Sequence, residues 1–277
     1  MNRLGKKIRP IHQDKKRGIG PTRNAGLQEA RGDFVAMLDH DDMWLPDKLR
    51  RQMDLAVLTE ADVLASRCVN VDPNDPDHST VWPEALPDDA DGKPVTESGL
   101  SLNGNVFYAL AKGNFLPHST IVLRRTALEA IGGYAMNLNG VEDIDLWMRL
   151  AAGGYRFGFV DAVLVKRRIH EGQASRKLGM MRSHRVHMLE RFLNDDILSD
   201  DEREILKKRA ARERKVLGDY DARRGDWARA RRHYTQAMGH GMRPAQALSW
   251  LATFLGPMAL PVLRGLNRGS DVFEEDG

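Results

Sequence analysis

Three acids fall within four residues at Leu38-Asp39-His40-Asp41-Asp42. Carboxylates this close repel one another unless water solvates them or a cation sits among them. Hard oxygen ligands suit Mg²⁺ or Mn²⁺, which typically keeps one or two protein carboxylates and completes its shell with substrate phosphates and water. The plainer alternative is a polar turn in which Asp42 or Asp47 caps the next helix. An EF-hand is excluded, because the sixth and twelfth positions counted from Asp39 are Trp44 and Arg50.

A second acidic group occurs at Gly140-Val141-Glu142-Asp143-Ile144-Asp145-Leu146-Trp147. Acids in a first helical turn meet the positive end of the helix dipole, which by itself accounts for one or two of them. A carboxylate held at a helix start beside a cleft also makes a general base. A third group is Lys166-Arg167-Arg168-Ile169-His170-Glu171-Gly172. His170 is either a surface residue past a strand or an imidazole ligand, and the cations before it could neutralise a diphosphate. Neither a Walker loop nor a complete G-x-G-x-x-G is present, since Gly18-Ile19-Gly20 continues into Pro21-Thr22-Arg23.

The elements that would hold these groups alternate between helix and buried strand. A helix is predicted over 21–31, then a continuously apolar strand over 34–38 that reads as buried in a parallel sheet and runs into the acidic loop. Pro46 opens a helix with Leu49, Met53, Val57 and Leu58 on its apolar face, followed by a strand at 63–69. Residues 72–94, with five prolines and many acids, read as a long surface loop. A strand at 119–123, a helix from Thr126, a helix over 143–152 and strands at 155–160 and 163–169 follow. Such alternation predicts an α/β layered domain with its ligand site beyond the carboxyl ends of the strands, where the acidic loop falls.

From about Leu178 the pattern becomes helical, with helices at 202–224 and 227–238 joined at Gly225-Asp226. Tyr220, Ala222, Gly225, Ala230, Tyr234 and Ala237 are spaced as in one tetratricopeptide-type hairpin, and a single copy implies local packing rather than a solenoid. The end, 245–266, is apolar but broken by Gly256-Pro257 and Pro261, which points to an interfacial or buried stretch rather than a membrane span. The domains expected are therefore 1–177 and 178–277.

The net charge of +3 hides strong segregation: 203–232 holds twelve cations against five acids. Such runs are either solvated faces or basic sites for phosphates or an anionic membrane. Cys68 is the only cysteine, so no intramolecular disulfide or thiolate-rich metal site is possible, and its apolar setting predicts a buried thiol. No apolar stretch follows the charged N-terminal residues, and the expected location is cytoplasmic, peripheral at the inner membrane face.

The motifs, in order, resemble the inverting, nucleotide-sugar-dependent family-2 glycosyltransferases of the GT-A fold. The likeness begins at Lys16-Arg17-Gly18-Ile19-Gly20-Pro21-Thr22-Arg23-Asn24-Ala25-Gly26 and continues through Gly32-Asp33-Phe34 to Asp41-Asp42-Met43-Trp44. It extends over Ser119-Thr120-Ile121-Val122-Leu123-Arg124-Arg125, Ile131-Gly132-Gly133-Tyr134, Glu142 to Trp147, and Arg168-Ile169-His170, roughly residues 8 to 175.

The resemblance implies a Rossmann-like mixed sheet followed by a helical C-terminal region. It implies a nucleoside-diphosphate sugar donor, UDP-linked in many members, with Mn²⁺ or Mg²⁺. Arg17, Arg23, Asn24, Asp39 and Asp42 would contact the donor, and Asp39, Asp41 and His170 would hold the cation. Asp143 would deprotonate the acceptor hydroxyl, with Glu142 beside it on the acceptor side. The acceptor would be a glycan or lipid-linked, in surface-glycan or polysaccharide synthesis, with an anionic membrane as a further partner of the C-terminal helices and no nucleic acid. Family members begin with two further strands and a base-gripping loop, so the sheet is expected to lack its first two strands here. The competing expectation is an inactive truncated remnant that acts as a binding or membrane-docking module.

Overall fold

The sheet is built around strand β3 (Val63–Asp72), whose first four residues and Cys68 are buried. The computed structural model describes residues 8–72, 75–170, 178–196, 198–241 and 244–259. Before β3 come helix α1 (Ile19–Gln28), strands β1 (Phe34–Ala36) and β2 (Met43–Trp44), and helix α2 (Lys48–Thr59). After it come β4 (Asp75–Trp82), β5 (Gly92–Pro94), β6 (Gly99–Leu102), α3 (Val106–Lys112), β7 (Val122–Arg124), α4 (Arg125–Ala130), α5 (Glu142–Ala152) and β8 (Phe157–Arg168).

The strand order is β1-β7-β3-β8-β6-β5, with β2 on β8 and β4 on β3. Only β3 and β8 run parallel and every other pairing is antiparallel, so the sheet is mixed. Helices cover it, and the main core gathers Trp147, Tyr134, Phe159, Leu110 and Leu123 at its centre.

Several elements differ from the sequence expectation. Residues 72–94 are not a loop: β4 folds back on β3, pairing Val69 with Val81 and Asn70 with Thr80, and β5 joins β6. Proline and acid content masked these strands because backbone pairing, not side-chain periodicity, holds them. The strand expected over 34–38 is shorter and half-buried, and it pairs antiparallel with β7 rather than within a parallel array. Residues 118–120 form a single helical turn, and β7 starts only at Val122. The two strands expected at 155–160 and 163–169 are one strand, β8, with a shift in register where Ser66 faces Val160 and Arg67 faces Val163. The break in the apolar pattern at 161–162 marks that bulge.

The C-terminal region comprises α6 (Leu178–Leu193), α7 (Asp200–Arg223), α8 (Trp227–Gly239), α9 (Pro244–Ala252) and a kinked turn at Thr253–Ala259. Ser199 and Glu202 form a reciprocal capping box at the start of α7. α7 and α8 form the hairpin that the alanine and tyrosine spacing predicted. Gly218 lies flat under Tyr234, where an added Cβ would come within 2.7 Å of the ring, and the Tyr234 hydroxyl donates to Asp219 at 2.6 Å. Met188, Leu189 and Phe192 of α6 and Leu206 and Ala210 of α7 belong to the same core as the sheet. The boundary expected at 177 and the apolar stretch beyond Ala259 lie outside the described residues.

Candidate active site

The acidic loop leaves β1 at the sheet edge and returns through β2, which pairs Met43 with Lys166 and Trp44 with Val165 of β8. That pairing brings the end of β8 alongside the loop. Asp42 accepts from the Arg168 N–H at 3.2 Å, and His170 Nε2 lies 3.0 Å from Asp41 Oδ2. Residues 129 apart in sequence thus meet at one point. Burial pushes the Asp42 carboxyl up, against hydrogen bonds from Ser119 and the Arg168 N–H.

Asp39 turns the other way. Its Oδ1 accepts from Arg23 at 2.7 Å and lies 3.2 Å from His118 Nδ1. Burial alone would raise this carboxyl, but His118 and then Arg23 hold it well below the usual carboxylate range. Asp39 therefore stands with two cationic or donor groups, while Asp41 and His170 form a separate pair. Among the described residues no three acids, histidines or cysteines gather into one metal-type cluster.

Arg23 has a second partner. Its other terminal nitrogen donates to Glu142 Oε1 at 2.6 Å, and its guanidinium lies 5.4 Å from the centre of the Tyr134 ring. Glu142 opens α5 and is buried, and its second oxygen accepts from the Gly140 N–H at 2.6 Å. Burial, reinforced by the charge of Asp143, pushes the Glu142 carboxyl up to about 7, with Arg23 opposing. Asp143 accepts from Asn114 at 3.3 Å. Asp145 is fully buried and paired with Arg149 and Arg191, so it serves the fold.

The remaining expected residues are placed less directly. Asn24 donates to the Tyr134 carbonyl and accepts from its N–H, both at 2.8 Å, so both ends of its amide hold α1 to the Gly133-Tyr134 turn. Arg17 is exposed on the segment before α1. Gly18 and Gly20 are explained by packing: Gly18 sits at φ 97° against Asn139, and a Cβ on Gly20 would come within 2.1 Å of the Ala135 carbonyl oxygen.

Sequence reasoning missed two groups. The turn at 118–120 grips the loop, since the Ser119 hydroxyl accepts from the Asp39 N–H and the Ser119 carbonyl accepts from Trp44 Nε1, both at 3.0 Å. Lys48 is buried beneath the loop. Its ammonium lies 4.5 Å from the centre of the Trp44 ring and donates to Gln52 at 2.8 Å, and burial lowers it to about 7. Reading 119–123 as a strand hid the first group. A lysine within a helix gave no signal for the second.

The model of the family described as Glycosyl transferase family 2 matches residues 1–132. Over these residues, a little under half of its length, the chain is similar to glycosyl transferase family 2. The matched stretch includes α1, the acidic loop and the 118–120 turn, and it stops before α5 and β8.

An uncharacterized glycosyltransferase of Methanocaldococcus jannaschii is 27% identical over 165 residues, 59% of this chain and 51% of that protein. The amylovoran biosynthesis glycosyltransferase AmsE of Erwinia amylovora is 26% identical over 167 residues, 60% of this chain and 56% of AmsE. The succinoglycan biosynthesis protein ExoO of Rhizobium meliloti is 48% identical over 50 residues, 18% of this chain and 14% of ExoO. The chain thus spans about half the length of the first two relatives. Among solved structures, S. aureus TarS 1-349 in complex with UDP-GlcNAc matches with a TM-score of 0.51 at 16% identity, covering 91% of this chain and 69% of that one. That likeness is one of fold: the mixed sheet and helical C-terminal region are of the GT-A type.

Proposed function

We propose that this chain moves a sugar from a nucleoside-diphosphate sugar, UDP-linked, to an acceptor hydroxyl, with inversion at the anomeric carbon, in polysaccharide or surface-glycan synthesis. The observation that carries the reading is Arg23, whose guanidinium joins Asp39 of the acidic loop to Glu142 beside Asp143. A donor-side acid and an acceptor-side pair of acids thereby belong to one cluster. The UDP-GlcNAc complex of TarS and the polysaccharide roles named for AmsE and ExoO support the choice of donor and pathway class.

Asp41 and His170 offer a hard oxygen and an imidazole at one point, a donor set that fits Mn²⁺ or Mg²⁺ with diphosphate oxygens and water in the remaining positions. A cation there would offset the charge that grows on the departing diphosphate. Asp39 would face the nucleoside, and the exposed Arg17 would meet phosphate. Asn24 would act through the turn it holds, and Asp42 by fixing the loop to β8. Asp143 would take the acceptor proton, with Glu142 beside it.

Calorimetry with UDP tests the donor half. Asp41→Ala should lose the Mn²⁺-dependent part of the affinity, and equal binding by variant and parent without Mn²⁺ dependence removes the cation from the reading. Asp143→Asn should keep UDP affinity while turnover falls about 10²–10⁴-fold. Near-normal turnover would pass the base role to Glu142.

The partner side of the reading is a glycan or lipid-linked acceptor met at an anionic lipid surface. Leu248, Leu251, Phe254, Leu255 and Met258 are each at least half exposed along α9 and the turn after it. The Arg231 guanidinium lies 5.2 Å from the centre of the Phe254 ring, beside that apolar row. Among the described residues no helix is long and apolar enough to cross a membrane.

A further inference from the structure

His118 is a buried imidazole that the reaction scheme above leaves without a task. It is 8% exposed, and it lies 6.2 Å from Trp147 in a stacked arrangement. Trp147 belongs to α5, the helix that carries Glu142 and Asp143. The two ring nitrogens of His118 point at different partners. Nε2 lies 2.9 Å from the Tyr134 hydroxyl, and Nδ1 faces Asp39 Oδ1 at 3.2 Å, a charge contact off the ideal hydrogen-bond angle.

The Tyr134 hydroxyl keeps its proton, because burial pushes it far up. When that hydroxyl donates to Nε2, the imidazole proton sits on Nδ1, on the side that faces the Asp39 carboxylate. Arg23 approaches the same Asp39 oxygen and also lies over the Tyr134 ring. Tyr134, His118, Asp39 and Arg23 therefore close a ring of contacts. The backbone reinforces it, because Ser119, next to His118, accepts from the Asp39 N–H.

A leucine or phenylalanine would fill the volume of His118 without leaving polar atoms to satisfy. An unsatisfied buried polar group is costly, so core packing alone does not favour histidine here. What its polar edges serve is the direction of one carboxylate.

We propose that His118 is a positioning residue of the donor site: with Arg23 it holds Asp39 from two sides, so that this acid faces the nucleoside while Asp41 and His170 are left to the diphosphate and its cation. The proposal rests on the donor-site reading given above, and the tests separate the two.

UDP is titrated by calorimetry, with Mn²⁺ and with chelator, into the parent protein and into Asp39→Asn, His118→Leu, His118→Asn and the double variant Asp39→Asn with His118→Leu. Hydrogen bonds to charged groups are worth enough for a loss of about 10-fold or more in affinity in each of the Asp39→Asn and His118→Leu variants. The double variant should be no weaker than Asp39→Asn alone. His118→Asn, whose amide nitrogen stands near the place of Nδ1, should recover most of the loss. The His118→Leu loss should persist in chelator, whereas that of Asp41→Ala should appear only with Mn²⁺. With sugar donor and acceptor, His118→Leu should raise the donor KM more than it lowers kcat.

If His118→Leu fails to melt cooperatively, Tyr134→Phe removes only the hydroxyl behind Nε2 and should weaken UDP by a smaller factor. Parent-like UDP affinity in His118→Leu beside a clear loss in Asp39→Asn overturns the proposal alone. So do additive losses in the double variant, or a His118→Leu effect that vanishes in chelator. Parent-like affinity in Asp39→Asn overturns the donor-site reading instead.

Discussion

At the scale of residues, the acceptor-side pair sets the expected pH behaviour. Glu142 is pushed up to about 7 by burial and then by the charge of Asp143, so below that pH Glu142 retains its proton. That proton is lost as pH rises through about 7, and only then does Glu142 carry the charge that raises the proton affinity of the acceptor-side pair. The kcat/KM of the parent should therefore climb by about tenfold per pH unit on its acid side and level off above 7. In Glu142→Gln the titrating carboxyl is gone, and this limb should be lost. A limb that stays in place would show that another group controls it. Asp39, Asp41 and Asp143 could be picked out as candidates in the sequence, because acids at a strand end and at a helix start are local patterns. That Asp41 meets His170 while Asp39 turns to Arg23 was not legible. Those choices depend on β2 pairing with β8 and on α1 lying against the Tyr134 turn.

At the scale of elements, α2 is anchored by an unusual group. Lys48 is 1% exposed, and its amine, ordinarily near 10.5, is lowered to about 7 by burial. Between those values the unfolded chain holds a proton that the folded chain has released, so this residue's contribution makes stability rise with pH, by at most about 1.4 kcal/mol per unit. Lys48→Met lacks that proton. The stability difference, parent minus variant, should thus grow by ~1–3 kcal/mol between pH 7 and 9.5 in urea unfolding. A constant difference would show that Lys48 keeps its charge in the fold. Through Gln52, which donates to the Thr120 carbonyl at 2.8 Å, the same residue ties α2 to the turn that grips the acidic loop. The helices α1, α2, α4 and α5, the strands β1 and β3 and the α7–α8 hairpin followed from apolar period and glycine placement, whereas β2, β6 and α3 carried no signal that was read. The β4 and β5 strands did not follow, because an exposed strand with prolines and acids carries no alternation to read.

At the scale of the whole molecule, the basic run at 203–232 is partly consumed inside the fold. Arg209 caps the carboxyl end of α3 by donating to the Leu110 and Ala111 carbonyls, Arg214 pairs with Glu190 at 2.7 Å, and Lys215 with Asp219 at 2.7 Å. Burial lowers the Arg209 guanidinium to about 10. Lipid contact should accordingly rest more on the apolar row of α9 than on charge. In flotation with anionic vesicles, a Leu251→Glu, Phe254→Glu double variant should abolish co-migration, while raised salt should reduce it only in part. Equal flotation of parent and variant would mean that the row serves something else. α7 has 24 residues and is roughly 36 Å long; its first half is locked into the sheet's core and its second half into the hairpin that carries α9. Such a rod is a spacer of set length. A protein resting on a bilayer through α9 would hold its acidic cluster at one stand-off height, and acceptors would be sorted by how far their reactive hydroxyl reaches above the headgroups.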